Sequence, residues 1–359
     1  MEVFMKNVRK IDWLQVVSKI VAALGLTVVV CICGMSASCK VSPEGIEILE
    51  PEYTPPKLLN IQISNSSELF IEFDKAISLK ELEIIPVSNP EEKIPVNVEI
   101  LEPNTSFYID CKTKFSAQDE YEIHGVVEDE TQNSLTFSSI LQGFNDNLPK
   151  IALSELRSFY QKPKLEYIEL VALSEGNLAG MTLEIFYKTE PIIFVFPDIN
   201  VKKGDFILVH GRKIDETCVN ETIDLCAATY KDSVPNVVDF WLDSETKVIG
   251  NSGVILLKNR KNGDIVDALL YNEPGKEAWA NETVQQAAEE AFNKGGWEGS
   301  GNIEDAAINT KPSGTRSLSR DFSTFENLEN PTPSKNQWIF VANGNATMGS
   351  ENSLVPYEE

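Results

Sequence analysis

Two histidines in 359 residues leave little material for imidazole chemistry. A base for a serine or cysteine nucleophile would have to come from His124 or His210, and a zinc site gains nothing from two residues so far apart. Basic residues are also scarce: 31 Lys and Arg stand against 55 Asp and Glu, a net charge of −24. That surface repels phosphate backbones, so nucleic acid is not an expected partner. Long apolar runs are missing too. The uncharged stretch Ile20 to Ile32 would cover roughly 20 Å as a helix, short of a hydrocarbon core of roughly 30 Å. Neither a Gly-x-x-x-x-Gly-Lys loop nor a Rossmann fingerprint occurs, and no cofactor is expected.

What is present begins with an export signal. Lys6, Arg9, Lys10 and Lys19 precede the apolar run, the layout of a secretory leader over residues 1–38. Met35-Ser36-Ala37-Ser38-Cys39 resembles a bacterial lipobox, with Ser36 where a leucine is usual. The resemblance implies lipidation at Cys39 and a membrane contact through that anchor; ordinary cleavage after Ser38 is the alternative. Residues 39–57 then form an acidic tether with four prolines and four glutamates in "KVSPEGIEILEPEYTPPK", which need not fold.

From Leu58 the pattern changes to short apolar and polar alternations such as "ELFIEFD" and "EYEIHGVVED", separated by Asn, Ser, Pro and Asp clusters. This predicts a small antiparallel sandwich over 58–147. Phe73, Ile77, Tyr121, Ile123, Val127, Asp129 and Asn133 give it a resemblance to bacterial Ig-like domains. A second unit, 148–359, resembles a lamin-tail domain, itself an Ig-like sandwich. The matching residues are Ser154-Glu155, Glu166 to Leu170, Leu178 to Leu183, Lys203-Gly204-Asp205 and Asn251-Ser252-Gly253. Ser317 to Arg320, Pro331-Thr332-Pro333 and Thr347 to Asn352 complete the set. The expected fold class is therefore all-β: two Ig-like β-sandwiches in tandem, the second with a long loop and an inserted helix at about 276–294. Val284, Ala287, Ala288, Ala291 and Phe292 fall on one apolar stripe of that helix, and Lys294-Gly295-Gly296 would end it.

Ser252, flanked by Gly250 and Gly253 in "GNSG", is either a nucleophile or a turn before a strand. The G-x-S-x-G elbow is absent, and Val254 to Leu257 reads as a strand entered through that turn. The turn is the expected role, and no catalytic residue is assigned. Carboxylates are abundant, but Glu166 and Glu169 would face opposite sides of a strand, and a solvated acidic surface is the default. Asp215, Glu216, Glu221, Asp224 and Asp232 crowd one loop without a calcium-loop motif, so no metal is assigned. Cys218 and Cys226 are close enough in sequence to pair as a disulfide, the alternative being two free thiols. Phe159 and Tyr160, with Trp279 and Trp297 flanking the helix, are the candidate ligand-binding aromatics. The expectation is a non-enzymatic lipoprotein of the cell envelope that binds a protein or a glycan. A hydrolase with a loop-built carboxylate or metal site, or a purely structural component, is the alternative.

Overall fold

The computed structural model describes residues 41–42, 45–46, 54–324 and 333–358; Cys39 and the Ile20 to Ile32 segment lie outside them. The chain divides into two units, Met1–Thr54 and Pro55–Glu359. In the first, β1 (Val41–Ser42) pairs antiparallel with β2 (Gly45–Ile46). No helix among the described residues is long and apolar enough to cross a membrane.

Among the described residues the second unit is all-β apart from one α-helix and short 3-10 turns, and it holds two sandwiches in tandem. The first is built from β3 (Leu58–Asn65), β4 (Glu68–Phe73), β5 (Ser78–Pro86), β6 (Val96–Leu101), β7 (Ser106–Cys111), β8 (Glu120–Glu128) and β9 (Ser134–Gln142). They form a four-stranded sheet, β3-β4-β7-β6, and a three-stranded sheet, β5-β8-β9. Strand periodicity decides which residues enter the core. Leu69, Ile71 and Phe73 of β4 and Tyr121, Ile123 and Val127 of β8 point inward, and their neighbours in sequence are more exposed. Phe73 meets Phe107 and Phe137 edge-on, at 5.7 and 5.6 Å between ring centres.

The second sandwich contains β10 (Ile151–Arg157), β11 (Tyr167–Ala172), β12 (Gly176–Asn177), β13 (Thr182–Phe186), β14 (Ile192–Val195), β15 (Asn200–Val201), β16 (Phe206–His210) and β17 (Val238–Trp241). β18 (Gly253–Lys258), β19 (Ile265–Asn272), helix α1 (Glu282–Asn293), β20 (Ala307–Ile308), β21 (Leu318–Arg320) and β22 (Trp338–Phe340) follow. One sheet runs β17-β16-β11-β10-β21-β22 and the other β14-β13-β18-β19-β20, with β12 and β15 as a separate short ladder. Two pairs, β16 with β17 and β19 with β20, are parallel; the rest are antiparallel. Leu153, Ile168, Leu170, Val209 and Phe240 face Leu183, Ile185, Ile255 and Leu257 in a single core.

Both sheets are also covered on their outer faces, and this departs from a simple sandwich. Every residue of β10 and of β18 is buried. Helix α1 lies on the five-stranded sheet through Val284, Ala287, Ala288 and Ala291. Asn281 caps it by accepting the Val284 N–H at 3.1 Å, and Gly295, at φ +73°, carries the chain out of the last turn. Phe292, expected on the buried stripe, is 43% exposed. Eight residues of helix carry it roughly 80° round from Val284, off the contact face.

The sandwiches are tied together by side chains that reach backbone. Gln142 Nε2 donates to Ala117 O and Gly180 O at 2.9 and 3.1 Å, and Asn145 Nδ2 to Asn177 O and Ala179 O at 2.8 and 3.0 Å. Gly180 sits at φ +79°, and a Cβ there would stand 2.5 Å from Ala117 O. The β18–β19 hairpin returns the contact, with Lys261 N donating to Gln142 Oε1 at 3.0 Å and the Arg260 guanidinium 5.5 Å from the centre of the Phe144 ring.

Candidate functional site

Gly253 opens β18 because nothing larger fits: a Cβ there would lie 2.5 Å from Phe186 O. Close approach, not a left-handed backbone, is thus the reason for glycine at this position. The turn before it presents Asn251 and Ser252 to a cleft of about 300 Å³. Tyr187, Lys247, Glu273 and Trp279 form other walls, and Ala280 and Val284 at the start of α1 close one end.

A connected polar line crosses this cleft. Lys247 Nζ donates to Asn251 Oδ1 at 3.1 Å, Asn251 Nδ2 to Glu273 Oε1 at 3.0 Å, and the Glu273 N–H to Ser252 Oγ at 3.0 Å. Packing around the Lys247 ammonium lowers its pKa from the ordinary lysine value, against the opposing pull of Glu166 and Glu273. The aromatic walls are held in place as well. Trp279 Nε1 donates to Gly301 O at 2.9 Å, and the Tyr187 hydroxyl donates to Lys247 O. Both rings are half-buried, packed on the core at one side and open to the cleft on the other.

Ser252 Oγ therefore acts as the acceptor that stitches the turn to the end of β19. His210 is not beside it. That ring is buried on the outer face of the six-stranded sheet, stacked on Trp241 at 4.0 Å and 11°, with Nε2 3.5 Å from Asp239 Oδ1. His124 lies on β8 of the first sandwich.

The four candidate aromatics do not share a surface. Trp297 is 1% exposed: after the helix the chain turns back, and the indole fills the core with Nε1 donating to Asp305 O at 3.2 Å. It is a packing residue, which corrects its reading as a ligand contact. Tyr160 packs beside Leu165, Cys218 and Trp241 with the Arg212 guanidinium 4.2 Å above its ring. Phe159, half-buried, lines the Ser252 cleft no more than Tyr160 does. Trp279 alone of the four reaches it. Cys218 is buried, Cys226 is exposed, and both are free thiols in place of the disulfide considered above.

Acidic groups that the sequence suggested were solvated are in part buried and hydrogen-bonded to the fold. Glu166 receives Arg212 Nε at both oxygens, at 3.0 and 2.9 Å. Glu155 accepts from the Tyr167 hydroxyl, from Ser317 and Ser319 Oγ at 2.5 and 2.9 Å, and from Thr347 N at 3.1 Å. Glu169 accepts Gly349 N at 2.6 Å. In the long loop, Glu221 takes Ala228 N at 2.8 Å and Asp232 takes Leu165 N at 2.7 Å together with Arg157. These carboxylates fasten the loop and the C-terminal segment over the six-stranded sheet. Among the described residues no group of three acidic, cysteine or histidine side chains could hold a metal ion.

Residues 149–340 match the model of the family described as "TP_1001_2nd: protein second domain". The chain belongs to that family. An uncharacterized protein of Treponema pallidum (strain Nichols) is 26% identical to it over 183 residues, 49% of this chain and 47% of that protein. The chain thus spans about half the length of the relative it matches. Among solved structures, the chain is similar to a DUF4876 family protein from Bacteroides thetaiotaomicron, at 13% identity and a TM-score of 0.28, over 79% of this chain and 93% of that one. The N-terminal part of the bacterial S-layer protein SbsC gives 14% identity and a TM-score of 0.25, over 43% of this chain and 40% of that one.

Proposed function

We propose that the chain is a non-enzymatic lipoprotein of a bacterial cell envelope, anchored through Cys39, that presents its second, lamin-tail-like sandwich as a glycan-binding module. The Ser252 cleft carries this reading. Sugars offer a C–H face to an aromatic ring and a rim of hydroxyls to mixed donors and acceptors, and the cleft supplies both: Trp279 and Tyr187, with Lys247, Asn251, Ser252 and Glu273. Its size, about 300 Å³, suits one or two sugar rings. A hydrolytic role is disfavoured because Ser252 Oγ is committed to the Glu273 N–H and His210 stacks on Trp241 elsewhere. The leader-like segment, the Cys39 motif and the acidic tether support exposure on the far side of a membrane.

Two experiments test this. The full chain expressed in a bacterial host should lose membrane association and an acyl-sized mass in Cys39→Ala; unchanged mass and location would end the lipoprotein reading. Titration of the chain with chitobiose and with the N-acetylglucosaminyl-N-acetylmuramic acid disaccharide, followed by calorimetry, should give saturable binding that Trp279→Ala abolishes while the circular dichroism spectrum is kept. Absence of heat with both sugars at millimolar concentration, or binding indifferent to Trp279, would end the glycan reading.

A further inference from the structure

The sheet edges of the second sandwich are protected unequally. β17 is closed by the loop before it: Asn220 Oδ1 accepts Trp241 N at 2.7 Å, and Glu221 N donates to Asp239 O at 2.9 Å. β22 is covered by the C-terminal segment, with Tyr357 N donating to Phe340 O at 2.8 Å, and β20 is only two residues long. β14 is the other end strand of the five-stranded sheet, and it is left open. Helix α1 lies over its neighbours β13, β18 and β19, and Ile193 and Val195 are each 45% exposed.

One contact fixes the hydrogen-bond phase of this edge. Phe196 N donates to Met181 O at 2.9 Å, so on an antiparallel ladder Phe194 and Ile192 also turn their backbone groups toward β13. The N–H and C=O of Ile193 and Val195 therefore point out of the sheet, and among the described residues they meet no partner. Pro191 and Pro197 bound this window, since neither ring can donate at the next outward position. Beside the strand, a cleft of about 680 Å³ separates Ile192, Ile193 and Phe194 from the turn that runs from Trp241 to Val248, which leaves room for the inward side chains of a further strand.

We propose that a second copy of this chain pairs here, β14 against β14, antiparallel about a two-fold axis through Phe194. The edge is self-complementary. Its open residues and its two prolines lie symmetrically about Phe194, so Ile193 of one copy falls opposite Val195 of the other and each outward N–H meets a C=O. The exposed Ile193 and Val195 side chains then cover each other on the outer face, and the two half-buried Phe194 rings come side by side over the cleft. A register shifted by one residue sets outward groups against inward ones, and a shift by two brings a proline into the ladder. Two-fold pairing uses up both open edges, so association stops at the dimer. The contact does not depend on the proposed glycan cleft.

The test is sedimentation velocity on the full chain up to a few hundred micromolar, with circular dichroism to show that each variant is folded. The wild type should show a reversible monomer–dimer equilibrium. It should shift toward dimer as salt is added, because each copy carries a net charge of −24 and the two repel at long range. Ile193→Lys alone and Val195→Glu alone should each weaken the dimer by about tenfold or more. An equimolar mixture of these two variants should restore it, because the introduced lysine then faces the introduced glutamate across the axis. Ile100→Lys, on the exposed end strand β6 of the first sandwich, should leave it unchanged. A mixture no tighter than the single variants, or an equal loss in Ile100→Lys, would overturn the pairing of β14 with β14. A wild type that stays monomeric at every concentration and salt would overturn it too, and would leave the edge to an extended segment of another protein.

Discussion

Glu155 stands directly opposite Glu169 on neighbouring strands, and both carboxyl groups are closed off from water. Like charges in that relation destabilise a ladder unless one is neutralised. Their surroundings differ accordingly. Glu155 is ringed by the hydroxyls of Tyr167, Ser317, Ser319 and Thr347, whereas Glu169 has only the Gly349 N–H and the Ser154 hydroxyl, and its Oε1 has no partner among the described residues. Burial first, and then the neighbouring Glu155 charge, raise the Glu169 pKa well above 4.5.

The pH consequence has a definite sign. With its folded pKa above the unfolded one, Glu169 holds a proton in the folded state that the unfolded chain gives up, so stability falls as pH rises above the unfolded value, near 4.5. Glu169→Gln keeps an acceptor for Gly349 and cannot ionise. Thermal melts from about pH 5 to about pH 8 should therefore show the wild type losing ground steadily to the variant. Parallel profiles would mean that Glu169 is not the proton carrier.

Arg320 on β21 crosses the core to Asp267 on β19, joining the two sheets at 2.5 Å. The same guanidinium donates to Leu153 O at 3.1 Å and to Gln337 Oε1 at 3.0 Å. Arg320→Met strands a buried carboxylate and should cost about 3–5 kcal/mol in urea unfolding. Adding Asp267→Leu should recover part of that loss, since an apolar pair leaves no orphaned charge. If the double variant is the weaker of the two, the pair is more than an electrostatic tie.

Gly125 lets the Phe137 ring cross β8: a Cβ there would stand 2.3 Å from Phe137 Cζ. Gly125→Ala should destabilise by about 1–3 kcal/mol through overpacking. Phe137→Leu in the same chain should relieve the clash, giving a double variant no worse than Phe137→Leu alone. Denaturant midpoints decide between this and a simple effect of alanine on the strand.

How far the sequence speaks depends on how local the deciding contact is. Leu69, Ile71 and Phe73 alternate because β4 has one wet face, and that pattern is readable in six residues. Asn281 and Gly295 mark the helix ends for equally local reasons. Glu155, by contrast, looks like one more surface acid in a chain with 55 of them, since the residues that bury it, Ser317 to Thr347, come more than 160 positions later. The residues behind the lamin-tail resemblance meet at this place: Glu155, Tyr167, Glu169, Ser317, Ser319, Thr347, Gly349 and Asn352. Asn352 Nδ2 closes the set by donating to Ser154 O and Arg320 O at 2.9 and 3.0 Å. A motif scattered along a sequence is here one hydrogen-bonded layer in space. Trp297 went the other way for a related reason. Its partner Asp305 O is near in sequence, but only the return of the chain after Gly295 brings the indole inward.

Helix α1 is fastened to its sheet by Lys258, whose Nζ lies 2.9 Å from Glu184 on β13 and 3.0 Å from Glu290 on the helix. Burial lowers the pKa of this lysine, but the two carboxylates outweigh it and the net shift is upward, so the ammonium is fully charged at neutral pH. The three charges are not equivalent. Glu184 is 6% exposed in its side chain and depends on Lys258, whereas Glu290 is 29% exposed and also pairs with Lys294 at 2.9 Å. Lys258→Met should therefore cost about 3–5 kcal/mol, because it abandons Glu184 in the interior. Glu290→Gln should cost under about 1 kcal/mol, as for a partly exposed pair. The effect should reach the Ser252 cleft as well, since Ala280 and Val284 at the start of the helix form one end of it. Hydrogen exchange of the α1 amides should accelerate in Lys258→Met before the first sandwich is affected, and the sugar binding proposed above should weaken in step with helix opening. If the amides of β8 and α1 lose protection together, the helix is not an independent lid on the cleft, and the loss of binding would report global unfolding.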